Sequence, residues 1–199
     1  MRNDATTTAL KEWAVAVKAL REGRQVLLVR KGGIREETRD FRIQARQFLL
    51  FPTFEHQRLD LLQASFHADL EQVLAARGDA GRVRIDTRAE LTDVFEVTEP
   101  WQVEALTPHY CWSMEYAEER LRWRPRIPLL VMAVRAYRLA ESHEIELRPE
   151  HGGCKSWLTL GEPIPLAGMT PALGDAEYAE RVAAVRTALE REPVGTAIT

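Results

Sequence analysis

Ile127-Pro128-Leu129-Leu130-Val131-Met132-Ala133-Val134-Arg135-Ala136-Tyr137-Arg138-Leu139 reads as the longest strand of this chain. Upstream, residues 113–123 and 100–106 read as short helices, with Ser113 as an N-cap and Pro100 in a first turn. Residues 82–97 alternate weakly (Val83, Ile85, then Leu91, then Phe95 and Val97) and read as two strands of a hairpin. Residues 55–77 read as one helix with Leu59, Leu62, Phe66, Leu70 and Val73 inward, closed by the turn 78–81.

Nearer the start, residues 9–22 read as a helix with Leu10, Trp13, Ala14, Val17 and Leu20 in one stripe. Thr7 or Thr8 caps it and Gly23 ends it. Residues 25–30 read as a buried strand. Phe41, Ile43 and Ala45 alternate with basic and polar residues as a half-exposed strand, and Phe48-Leu49-Leu50-Phe51, apolar on both faces, runs up to Pro52. After the long strand come short strands at 145–147 and 156–160, and then a loop at 163–174. Asp175 caps a last helix that turns Tyr178, Val182, Val185 and Leu189 inward and stops at Pro193. Helices and strands mix without βαβ alternation. The expected fold is α+β, with a mixed, mostly antiparallel, barrel-like sheet flanked by helices. The expected organisation is a single domain over 9–192 between flexible tails at 1–8 and 193–199.

The chain has 199 residues, 45% hydrophobic and 29% charged, which is ordinary globular composition. No apolar run reaches the roughly 18 residues of a membrane span, and the first eight residues hold no apolar signal core. Cys111 and Cys154 are the only cysteines, too few for a disulfide framework, so a reducing cytoplasm is the expected compartment. Net charge is −3, which argues against a generic nucleic-acid binder, but its distribution is uneven. Residues 18–58 carry ten Lys/Arg against five acids, residues 120–138 carry six Arg and no acid, and residues 59–104 carry ten acids against four Arg. One basic and one acidic face would follow, or an interspersed surface.

Two Gly-Gly segments each touch one of only four lysines: Arg30-Lys31-Gly32-Gly33-Ile34-Arg35 and Gly152-Gly153-Cys154-Lys155-Ser156-Trp157. Paired glycines admit positive φ and close approach, and a lysine beside such a turn offers an ammonium to an anion. Neither segment matches a P-loop or G-x-G-x-x-G, and both also suit ordinary hairpin turns. Lys155 and Trp157 share one strand face, which fits an anion with a stacked base, or equally a lysine lying over a packed indole. Arg120, Arg122, Arg124 and Arg126 interleave with Leu121, Trp123 and Pro125, either to contact phosphates or to pair with Glu115, Glu118 and Glu119. Glu55 and His56, just after a core strand, could do acid–base work or merely cap. Cys111 or Cys154 with a histidine is a less favoured nucleophile pair. The five histidines share no metal-ligand spacing, and no Asp/Glu-x-Lys triplet occurs, so neither a metal nor a cofactor is expected.

Residues 10–20 (Leu10-Lys11-Glu12-Trp13-Ala14), Arg30-Lys31-Gly32-Gly33-Ile34, Phe48-Leu49-Leu50-Phe51-Pro52-Thr53-Phe54-Glu55-His56-Gln57 and Gly152-Gly153-Cys154-Lys155-Ser156-Trp157 together resemble the bacterial family catalogued as domain of unknown function 1802, over about residues 9–162. The resemblance implies an association with restriction and DNA defence, with any nuclease a separate partner. A weaker similarity, in element order alone, is to PUA-like barrels of the ASCH and EVE groups, which bind RNA or modified bases. The function expected is an accessory nucleic-acid-binding domain whose basic pocket uses Arg30, Lys31, Gly32, Gly33, Arg35, Gly152, Gly153, Lys155 and Trp157, with Arg122, Arg124 and Arg126 guiding phosphates. The alternatives are a small hydrolase or phosphodiesterase built on Glu55, His56 and a lysine, and a structural partner-binding domain.

Overall fold

The computed structural model describes residues 5–31, 42–79, 81–153 and 155–190. One mostly antiparallel sheet runs in the order β2-β5-β4-β3-β1-β6, with a short β7 also paired to β5. Its strands are β1 (Ala5–Trp13), β2 (Leu27–Lys31), β3 (Gln47–Thr53), β4 (Arg82–Val97), β5 (Leu129–Glu146), β6 (Trp157–Pro165) and β7 (Thr170–Pro171). The helices are α1 (Ala14–Arg21), α2 (His67–Ala75), α3 (Pro100–Leu106), α4 (Met114–Arg122) and α5 (Asp175–Glu190). The expected α+β class and mainly antiparallel pairing therefore hold. Among the described residues the one parallel ladder joins β1 to β3.

The sheet curls but does not close into a barrel. Leu10 of β1 and Leu28 of β2 share an apolar cluster with Phe48, Leu50, Leu130 and Met132, so strands distant in the sheet order face one interior. No ladder joins β1 to β2 among the described residues. Val17 and Leu20 of α1 pack into the same cluster. On the outer face, Leu27, Val29, Val131 and Ala133 pack under α1, α3, α4 and α5. A third cluster sets Ala9, Leu49 and Phe51 against Ile85, Leu158 and Ile164. Alternate β3 residues thus enter opposite clusters, which explains why Phe48 to Phe51 is apolar throughout.

Several expected elements are corrected. The helix expected at 9–22 is a strand as far as Trp13, and β1 already begins at Ala5, inside the expected tail. The ladders to β3 and β6 outweigh a spacing that suits a helix equally well. Helix α1 itself borrows its N-terminal acceptors: Trp13 N–H donates to Glu12 Oε1 (2.7 Å) and Val15 N–H to Gln57 Oε1 (3.1 Å). Gly23 ends it at φ +71°, where a Cβ would run into the Leu173 side chain.

The helix expected at 55–77 keeps only its second half, α2. His56 sits at φ +61°. Beyond it the backbone bonds to the α3–α4 connection instead, with Gln63 N–H donating to Cys111 O and Ser113 N–H to Leu61 O, both at 2.9 Å. Residues 42–46 form no strand. The hairpin expected at 82–97 is the single strand β4, with register shifts at Ile85/Thr87 and Leu91/Asp93, and those bulges are why its alternation reads as weak. It pairs along its whole length with β5, which absorbs the separate strand expected at 145–147. Ser113 caps α4 as expected, accepting from Tyr116 N–H (3.3 Å). The loop expected at 163–174 contains the end of β6 and all of β7.

Three tyrosines close the outer core beneath the helices: Tyr110, Tyr116 and Tyr178. Burial pushes the hydroxyls of Tyr110 and Tyr178 up to about 12 and raises that of Tyr116 as well. A tyrosine in the unfolded chain ionises near 10.0, so the unfolded state loses these protons first as pH rises. The stability that these burials contribute is present in full below pH 10 and is lost as pH rises from 10 through 12. Circular dichroism and tyrosinate absorbance followed together should change in one cooperative step in that window. Gradual tyrosinate formation in a chain that stays folded would contradict the assignment.

Candidate anion-binding cleft

A cavity of about 370 Å³ opens where the end of β3, the start of β4, the end of α2 and the segment after β5 meet. Lys11, Arg77, Arg82, Arg148 and His151 line it, with Phe51 to Glu55 and Gly152. Four permanent cations therefore face one carboxylate, Glu55. No acid pairs with Lys11, Arg77 or Arg82 among the described residues. Arg148 approaches only Glu150, at 3.8 Å. The ammonium of Lys11 donates to the carbonyls of His151 (2.6 Å) and Gly153 (3.0 Å). Gly153 takes φ +72°, a left-handed turn that glycine adopts without strain.

His151 is only 4% exposed and packs edge-on against Phe51, with ring centroids 5.6 Å apart. Its Nδ1 accepts from Arg148 N–H (3.2 Å), so in the neutral ring Nε2 carries the hydrogen. That Nε2 is buried and has no hydrogen-bond partner among the described residues. A buried donor without a partner is costly, and the residue that carries it lines the cavity of cations. The Arg77 guanidinium lies over the Phe54 ring, 4.9 Å from its centroid.

The structure divides the expected site residues. Arg30 is committed to the core: Nη1 meets Glu12 Oε2 at 2.7 Å and Nη2 donates to the Lys11 carbonyl at 2.7 Å. Lys31 is buried and donates to the Leu121 carbonyl (2.9 Å), and burial lowers its pKa. Gly32, Gly33 and Arg35 lie outside the described residues. Gly152 lines the cavity and the carbonyl of Gly153 holds Lys11 at its edge. Lys155 is exposed. Trp157 is half-buried, edge-on to Phe48 (5.1 Å between centroids), and its Nε1 donates to the Arg42 carbonyl.

Arg122 pairs with Glu118 (3.3 Å) at the end of α4, Arg124 lies over the Trp123 ring at φ +52°, and Arg126 is exposed. None of the three lines the cavity. Glu55 is on the rim, while His56 is exposed and outside the lining. Cys111 is fully buried, and burial pushes its thiol well above the ordinary value, which rules it out as a nucleophile.

Arg30 and Gly153 both contact Lys11: Arg30 binds its carbonyl and Gly153 accepts from its ammonium. Sequence reasoning passed over Lys11, Arg77, Arg82, Arg148 and His151. They come from three separate stretches, Lys11, Arg77 with Arg82, and Arg148 with His151, and no local spacing joins the three. The available signal was the position of His151 directly before Gly152. Among the described residues no three His, Cys, Asp or Glu side chains could hold a metal ion, and no helix is long and apolar enough to cross a membrane.

No curated protein and no solved structure matches the chain. A family model does match, over residues 9–184, which contain all five of the cleft's basic side chains and both Gly-Gly segments. The chain belongs to the family described as Domain of unknown function (DUF1802).

Proposed function

We propose that this protein is an accessory nucleic-acid-binding domain that holds phosphate in the cleft of Lys11, Arg77, Arg82, Arg148 and His151. The observation that carries this reading is that one concave site gathers four permanent cations against a single lining acid, three of them (Lys11, Arg77 and Arg82) with no acidic partner among the described residues. Unpaired arginines and lysines in a cavity attract phosphate and release its counterions on binding. Cutting, in a restriction setting, would belong to a separate nuclease.

The test is a salt titration of labelled single- and double-stranded oligonucleotides followed by fluorescence anisotropy. The logarithm of affinity should fall linearly with the logarithm of salt concentration. Lys31→Ala should leave affinity unchanged, because that ammonium is held by the Leu121 carbonyl. Absence of binding at low salt sinks the proposal. Glu55 and His151 share the cleft, so the incubated oligonucleotide is also checked for cleavage. Intact product keeps the role as binding, whereas cleavage lost in Glu55→Gln would make the protein an enzyme.

A further inference from the structure

A second cavity, of about 490 Å³, adjoins the first and shares with it Pro52, Phe54, Arg77, Arg82 and Val83. Its character is different. Its floor is apolar, from Ala14, Val17, Val73 and Val83. The cations it does not share with the first cavity are neutralised: Lys18 by Glu22 and Asp69, Arg21 by Asp86, and Arg84 faces Asp86 at 3.6 Å. Glu144 and Asp79 add acidic rim. Beyond the shared Arg77 and Arg82 the second cavity offers a phosphate no uncompensated cation, whereas an uncharged ring with amino groups meets apolar walls and carboxylate acceptors. Phe54 and its stacked Arg77 form the wall between the cavities. A guanidinium there can pair with a phosphate on one side and stack on a ring on the other.

We propose that the two cavities form one bipartite nucleotide site, with the phosphate beside Arg82, Arg148 and His151 and the base beside Val17 and Val73. This rests on the phosphate-binding reading above and extends it to the base. A paired base inside a duplex cannot enter the second cavity, so the ligand is a single strand or a mononucleotide.

The probes are a single-stranded oligonucleotide, its blunt duplex, an abasic strand of equal length, adenosine 5′-monophosphate and ribose 5-phosphate. The single strand should bind about tenfold more tightly than the abasic strand or the duplex. Adenosine 5′-monophosphate should likewise exceed ribose 5-phosphate. Affinity that rises with strand length assigns the site to a strand, and affinity already complete with the mononucleotide assigns it to a free nucleotide. Ala76→Trp, at the exposed residue that follows α2 and lines the second cavity, should bring the single strand down to the abasic level and leave abasic binding untouched. Equal binding of abasic and intact strands, or no effect of Ala76→Trp, overturns the base site while the phosphate reading stands. Failure of every probe at low salt overturns both.

Discussion

Replacing Arg30 by methionine should cost the fold about 3–5 kcal/mol. The Glu12 carboxylate is almost wholly buried and the Arg30 side chain is 12% exposed, with 2.7 Å between Nη1 and Oε2. Removing the guanidinium strands a carboxylate among Trp13, Cys111 and Tyr116, and takes a donor from the Lys11 carbonyl. The double variant Glu12→Gln/Arg30→Met should recover much of the loss, because neither charge is then left alone. The glutamine can still accept from Trp13 N–H as Glu12 Oε1 does now. Urea unfolding of the two single variants and the double variant gives the coupling directly. An Arg30→Met protein within about 1 kcal/mol of the parent would show that the pair is not the tie between β1 and β2 that its geometry indicates.

Reversing two charges in the cleft, Arg82→Glu with Arg148→Glu, should weaken nucleic-acid binding about 100-fold at low salt, since each lost charged hydrogen bond is worth roughly one factor of ten. The slope of log affinity against log salt should become shallower by roughly 1.5 to 2, one counterion for each phosphate contact removed. Both side chains are exposed, and neither belongs to a core cluster, so the unfolding free energy should stay within about 0.5 kcal/mol of the parent. Arg122→Glu with Arg126→Glu is the comparison, because those residues lie outside the cleft. An unchanged slope in the cleft variant, or an equal loss in the comparison, would place the phosphate elsewhere.

The parts of the fold visible in the sequence are those punctuated locally. Pro100 and Ser113 announce α3 and α4, Asp175 announces α5, and the apolar run 26–29 before the charged Arg30 and Lys31 announces β2. The parts that were hidden depend on partners far away in the chain. Leu10, Trp13, Val17 and Leu20 keep helical spacing across a boundary at which the backbone changes from strand to helix, and only pairing with 49–53 and 157–165 fixes that boundary. The bulges of β4 shift its alternation twice, which no local pattern announces. Arg30 and Lys31 read as anion ligands because a charged pair beside two glycines normally faces water. Their acceptors, Glu12 and Leu121, are supplied by other elements. The cleft was legible only at Glu55 and Gly152, since its cations come from segments that chain folding alone brings together.

The placement of β1 sets the order in which this molecule can be completed. It is made before every other strand of the sheet, yet it lies between β3 and β6, with Ala5 opposite Pro165. Its last ladder must wait until residues 157–165 have been made, and contacts this distant in sequence close slowly. Until then one edge of β1 stays unpaired, so the nascent chain carries an open edge that β6 alone retires.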